Sequence, residues 1–151
     1  MIKQIVLYLM SWLILLTGLL VAIFANFASW IDTLPLICAV FGGYGGLLYC
    51  VRGLYINICA KQIWDRKWVL WYFLRPIVSI ISGFVSFVFL KAGLLILETN
   101  ATPNPNSYVF VALSFVAGLN VDNFIQKLEE VSEVVFGIKK SRIALDKTIK
   151  N

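Results

Sequence analysis

From Gln4 to Ile31 the chain carries 28 consecutive uncharged residues, and after Asp32 another 19 pass before Arg52. A helix of about 20 apolar residues crosses the hydrocarbon core of a bilayer, so runs of this length fix the solvent before any motif is read. Arg75 and Lys91 bracket 15 more uncharged residues, and Glu98 and Asp122 bracket 23, the last stretch opening with a polar loop. Spans are expected at residues 5–24, 34–58, 77–97 and 108–121, the fourth short and thinned by Gly118 and Asn120. Composition agrees: 60% of residues are hydrophobic and 14% charged, against about 25% charged in soluble domains. The first span reads as a retained helix. Its apolar run exceeds the roughly 7–15 residues of a signal-peptide core, and Ile23-Phe24-Ala25 is a poor cleavage site. The expected fold is an all-α integral membrane protein, with four transmembrane helices over residues 1–121 and an amphipathic cytoplasmic C-terminal helix within residues 122–151.

Orientation follows from the cations. The loops after the first and third spans hold Asp32 and Glu98 but no Lys or Arg, whereas Lys3, Lys61, Arg66, Lys67, Arg75 and a basic tail lie on the other side. The positive-inside rule then predicts that both termini are cytoplasmic. Within the connector at residues 59–75, the cations Lys61, Arg66, Lys67 and Arg75 interleave with Trp64, Trp68 and Trp71. Aromatic rings of this kind favour the headgroup level, and each cation there attracts anionic lipid by about 1 kcal/mol. The connector is therefore expected to be an interfacial helix in contact with membrane lipids, and Arg75-Pro76 to open the third span. Interleaved bases and rings also suit single-stranded nucleic acid, but the flanking spans argue against direct nucleic-acid binding.

Small residues recur four apart: Gly42 and Gly46, Ser79 and Gly83, Ser114 and Gly118. Such faces let helices approach closely in lipid, within one chain or between subunits, and their number suggests a homo-oligomer. Arg52 and Lys91 are the charges expected in or near the bilayer, either snorkelling to the headgroups or marking a functional site. The chain has no His, which removes the commonest proton shuttle and metal ligand. Cys38, Cys50 and Cys59 have no metal spacing, and no nucleophile has a recognisable base. No catalytic residue, metal or cofactor is expected.

In the tail, Phe124, Leu128, Val131, Val135 and Ile138 recur at alternating steps of four and three, a short heptad seam. It suits bundling of copies, presentation to a cytoplasmic partner, or folding back on the protein itself. Asn120 and Asp122 read as helix-capping types. If the tail stood upright, Lys139 would lie about 25 Å from Asp122, beyond a surface field that decays over about 8 Å. Lys139, Lys140 and Arg142 would then face a partner, whereas a break at Gly137 would return them to the headgroups.

This order of four spans, a polar Pro/Asn loop, and Ser114-Phe-Val-Ala-Gly-Leu-Asn-Val-Asp-Asn-Phe-Ile-Gln-Lys127 running into a short helix resembles small bacterial membrane proteins of anti-phage defence operons, in particular the family of Kiwa-system membrane subunits (KwaA). The resemblance is architectural and transfers no functional residue. It implies an oligomeric inner-membrane protein that works with a cytoplasmic, DNA-binding partner to sense or answer infection. Three function classes are open on sequence alone. A non-enzymatic scaffold or sensor is favoured by the connector and the striped tail. A pore-forming effector that depolarises the membrane lacks an obvious polar lining face, and a small transporter lacks a centred ionisable residue.

Overall fold

The computed structural model describes residues 2–25, 33–60, 68–93 and 107–137, and these form helices and their ends. Helix α1 (Ile2–Phe24) is followed by α2 (Thr33–Tyr55), which runs into one π-helical turn (Ile56–Ala60). Then come α3 (Trp68–Lys91), α4 (Ser107–Leu119) and α5 (Val121–Phe136). Helix α2 stays regular through Gly42-Gly43-Tyr44-Gly45-Gly46, although each glycine in a helix interior costs about 1 kcal/mol relative to alanine in water. In hydrocarbon the balance differs, because a freed N–H or C=O finds no water to replace its helical partner.

Three helices are long and apolar enough to cross a membrane: α1, α2 with the start of its π turn, and α3, at 23, 26 and 24 residues. A fourth crossing exists only if α4 and α5 count together as one span bent by 110°. The fourth span expected over residues 108–121 thus rests on this bent pair. Helix α4 has 13 residues, about 20 Å of rise, against a hydrocarbon core of about 30 Å. Asn120, at φ −119° and ψ 56°, leaves the α basin and turns the chain, so the tail does not continue upright. One correction concerns the connector. Trp68, Trp71 and Arg75 form the first two turns of α3, and Pro76 lies inside that helix instead of opening it. Lys61, Trp64, Arg66 and Lys67 fall outside the described residues.

Polar and apolar side chains are distributed unlike those of a water-soluble domain, with hydroxyls inside and many large apolar residues outside. The buried side chains include Ser79, Ser82, Ser86 and Ser114, while Leu7, Ile14, Leu15, Val21, Leu70, Ile81 and Val116 are exposed. Apolar surface on this scale is not tolerated by a monomer in water; it fits lipid around a bundle whose small residues face inward.

Side-chain contacts set the topology. The Tyr8 hydroxyl donates to the Phe73 carbonyl at 3.0 Å, Thr17 and Tyr44 share a hydrogen bond of 2.9 Å, and the rings of Phe87 and Phe110 lie 5.7 Å apart. The N-terminal ends of α1 and α3 and the C-terminal ends of α2 and α4 therefore share one end of the bundle, and neighbours run antiparallel. Helix α1 is peripheral and rests on a narrow buried stripe of Ile5, Leu9, Leu16 and Ile23.

At the centre, α2, α3 and α4 meet backbone to backbone. A methyl added to Gly42 would lie 2.6 Å from the Ser79 carbonyl oxygen and 2.7 Å from the Gly83 Cα, and one added to Gly118 would overlap the Gly42 carbonyl. Each helical step rotates by about 100°, so the glycine run serves several neighbours. Gly42 meets α3 and α4, Gly43 meets Leu16 and Ile80, Gly45 meets the backbone of Phe115 and Leu119, and Gly46 meets Ser79. Two buried hydroxyls lock the contact: Ser79 Oγ donates to Gly118 O at 3.0 Å and Ser114 Oγ to Gly83 O at 3.1 Å.

Gly42→Ala should therefore destabilise the protein by about 1–3 kcal/mol through overpacking, because the obstacle is backbone and cannot swing aside. Gly18→Ala, whose methyl meets nothing within 4 Å, should be neutral or stabilising by up to about 1 kcal/mol. Unfolding in mixed detergent micelles distinguishes the two, and equal effects would contradict the packing.

Candidate functional site

The Ser79–Gly118 contact brings the first half of α3 level with the end of α4. One turn before Ser79, Arg75 then reaches the elbow between α4 and α5. Its Nη2 donates to Leu119 O at 3.1 Å, and its Nη1 lies 3.4 Å from Asp122 Oδ2. The guanidinium carbon sits 4.5 Å from the centroid of Tyr49 and 5.4 Å from that of Trp71. The side chain is 6% exposed, and its Nε is a buried polar atom without a partner among the described residues.

A buried cation needs compensation, and here it comes from several weak sources. Leu119 is the last residue of α4, so its carbonyl has no intrahelical donor and carries the negative end of the helix dipole. Two aromatic faces supply cation–π attraction of about 2 kcal/mol when desolvated. Asp122 is 70% exposed, and an ion pair so open to solvent contributes at most about 1 kcal/mol. The carbonyl and the rings dominate.

Several expected residues change role. Arg75, expected among lipid headgroups, is enclosed by protein because the close approach of α3 and α4 covers it. Asn120 makes no side-chain cap bond to α5, and Asp122 faces Arg75. The six small residues Gly42, Gly46, Ser79, Gly83, Ser114 and Gly118 are all buried, and those faces pack within one chain. Along α5, Phe124, Leu128 and Val131 are half-buried and Val135 is exposed. The helix stops at Gly137, whose φ of 67° is left-handed and favours glycine, and whose N–H donates to Glu133 O at 3.0 Å. Ile138, Lys139, Lys140 and Arg142 lie outside the described residues.

Of the two charges singled out in the spans, Lys91 is exposed at the far end of α3 with its Nζ 5.6 Å from the Phe87 ring. Arg52 is exposed at the rim of a cavity of about 290 Å³ between the end of α2, the π turn and the start of α3. The Arg75 environment had one sequence signal. Arg75 precedes the third apolar run and Asp122 follows the fourth, so antiparallel packing puts them at one level.

No family model matches this chain, and no curated protein or solved structure is detectably similar to it.

If carbonyl and rings hold Arg75, Asp122→Asn should lower stability by less than about 1 kcal/mol. Arg75→Ala should lower it by about 2–4 kcal/mol, since it strips the Leu119 carbonyl and leaves a void. Detergent-solubilised unfolding curves of the two variants check this; similar losses would make the ion pair the main support.

Proposed function

We propose that this chain is a multi-pass protein of the bacterial inner membrane with both termini in the cytoplasm, and that it is a non-enzymatic scaffold or sensor of an anti-phage defence system which recruits a cytoplasmic partner through α5. The observation that carries the reading is the Arg75 elbow. Helix α5 is tied to the bundle at its first turn, through Asp122 and the last carbonyl of α4. A shift of α3 against α4 therefore changes the pose of α5, which is what a sensor with a cytoplasmic output requires.

Geometry and charge support a protein as the partner of α5. With α4 along the membrane normal, a 110° bend lays α5 near the membrane plane. It leaves at the level of Arg75, one turn of α3 beyond Trp71, or about 6 Å, just inside the headgroup layer if the Trp68–Trp71 rings mark the interface. Its polar residues Asp122, Glu129, Glu130 and Glu133 outnumber Lys127, the wrong sign for an anionic leaflet. Ile125, Val134 and Val135 remain exposed, Val134 at 85%. An acidic helix with exposed apolar residues suits a partner with a basic, partly apolar surface, consistent with the DNA-binding subunit that the resemblance implies. The cation bias of the sequence supports the orientation, and the resemblance alone supports the defence role. Oligomerisation of the chain would use surfaces other than the small-residue faces, which are buried within one chain.

Recovery of the soluble product of the adjacent gene on the tagged, detergent-solubilised chain tests this. Recovery should be lost on removing residues 122–151 and fall several-fold in Arg75→Ala at equal membrane abundance, with phage protection falling in parallel. Undiminished recovery without residues 122–151 refutes the role of α5, and dye release from liposomes holding the chain alone would favour a pore.

A further inference from the structure

At the end of the bundle that holds the elbow, the polypeptide builds a cavity that the scaffold reading does not use. A single π turn (Ile56–Ala60) after α2 meets the first turns of α3, and π turns in helices are frequent at functional sites. The resulting space, about 290 Å³, has Tyr49, Trp68, Trp71 and Tyr72 as aromatic walls, with Arg52 and Asn57 as its non-aromatic polar side chains. The rings are mutually braced: Trp71 meets Tyr72 edge-on at 5.1 Å, Trp68 at 6.4 Å and Tyr49 at 5.6 Å.

We propose that this cavity binds the phosphate of an anionic amphiphile, with the headgroup on Arg52 and Asn57 and the apolar portion against the rings. Three observations converge on that chemistry. First, Arg52 is exposed and forms no ion pair among the described residues, so its fork of donors is free for an oxyanion, which guanidinium matches bidentately. Second, Asn57 uses one N–H on the Tyr72 hydroxyl at 3.5 Å, a long bond, and retains its other donor for a ligand. Third, Tyr49 and Trp71 also carry the Arg75 guanidinium, so a second cation, only partly balanced by solvent-exposed Asp122, adds positive potential beside the site. Braced aromatic walls with few polar groups are the usual composition of a small-ligand pocket. The shared chemistry is a phosphate ester, and its source is either a membrane phospholipid or a soluble phosphate compound. Placement at the end of the spans favours the lipid.

The test uses the full-length protein in neutral detergent, titrated with brominated phosphatidylglycerol and, separately, brominated phosphatidylcholine, with tryptophan quenching as readout. Phosphatidylglycerol should quench at lower concentration, and Arg52→Gln should weaken its apparent affinity about five- to tenfold while weakening that of phosphatidylcholine, whose choline offsets the phosphate charge, less. Because Arg52 is exposed, this variant keeps the core intact; an unchanged thermal unfolding profile verifies it. Lys91→Gln, which removes a charge at the opposite end of α3, should leave the preference as it was. Competition by soluble glycerol phosphate assigns the source: displacement at concentrations comparable to the lipid makes the ligand a free phosphate ester, and failure to displace makes it the phospholipid. Equal losses in Arg52→Gln and Lys91→Gln, or no preference for the anionic lipid in the unsubstituted protein, would overturn the proposal.

Discussion

The contact among Gly42, Gly83 and Gly118 is the constraint from which the rest follows. Lipid tails are as apolar as leucine, so burying large side chains between helices gains little in a bilayer. Association must come from dispersion between close backbones and from hydrogen bonds that lipid cannot replace. The bundle meets both conditions at one point. Absent side chains let α2 approach α3 and α4 to backbone contact, and Ser79 and Ser114 donate to carbonyls of the facing helices. Many of the large apolar residues, such as Leu7, Ile14, Leu70 and Ile81, are left facing outward, where lipid would accept them.

That contact also sets the level of everything near it. Gly118 is bonded to Ser79, so Leu119 must lie level with the residue one turn before Ser79, which is Arg75. A guanidinium at that level meets the unsatisfied carbonyl at the end of α4, and Asn120 turns the chain so that Asp122 comes round to the same group. The elbow is thus a consequence of register between α3 and α4. Shortening α4 relative to α3 is what exposes the carbonyl, since a helix running the full depth would have placed its frayed end in water.

The long apolar helices were legible because charge-free runs depend only on composition along the chain, and the positions of α1, α2 and most of α3 follow from them. The small-residue pairs were legible for the same reason, as a four-residue spacing. Three things were not. The sequence reading treated the connector as a separate interfacial helix because its rings and cations suit headgroups, yet residues 68–75 obey helix continuity with α3, and a proline inside an apolar helix in lipid breaks less than one in water. The fate of Arg75 depends on partners 44 and 47 residues away, and no local pattern distinguishes a headgroup arginine from one enclosed by a neighbouring helix end. Gly45 was likewise hidden: it faces α4 while Gly42 and Gly46 define the obvious stripe, and only the rotation of α2 against two neighbours at once reveals why all four glycines are needed.

The same rotation explains why Arg52 and Arg75, both at the same end of the bundle, differ so sharply. Arg75 lies on the face of α3 that carries Ser79 one turn later, so the packing that buries the serine buries the arginine and obliges it to find protein partners. Arg52 follows the glycine run by one to two turns, beyond the reach of α4, and its face of α2 opens where the π turn diverges. Tyr49 and Trp71 stand between these environments, cushioning one cation and walling the cavity that the other borders. The elbow and the cavity are therefore joined through these two shared rings.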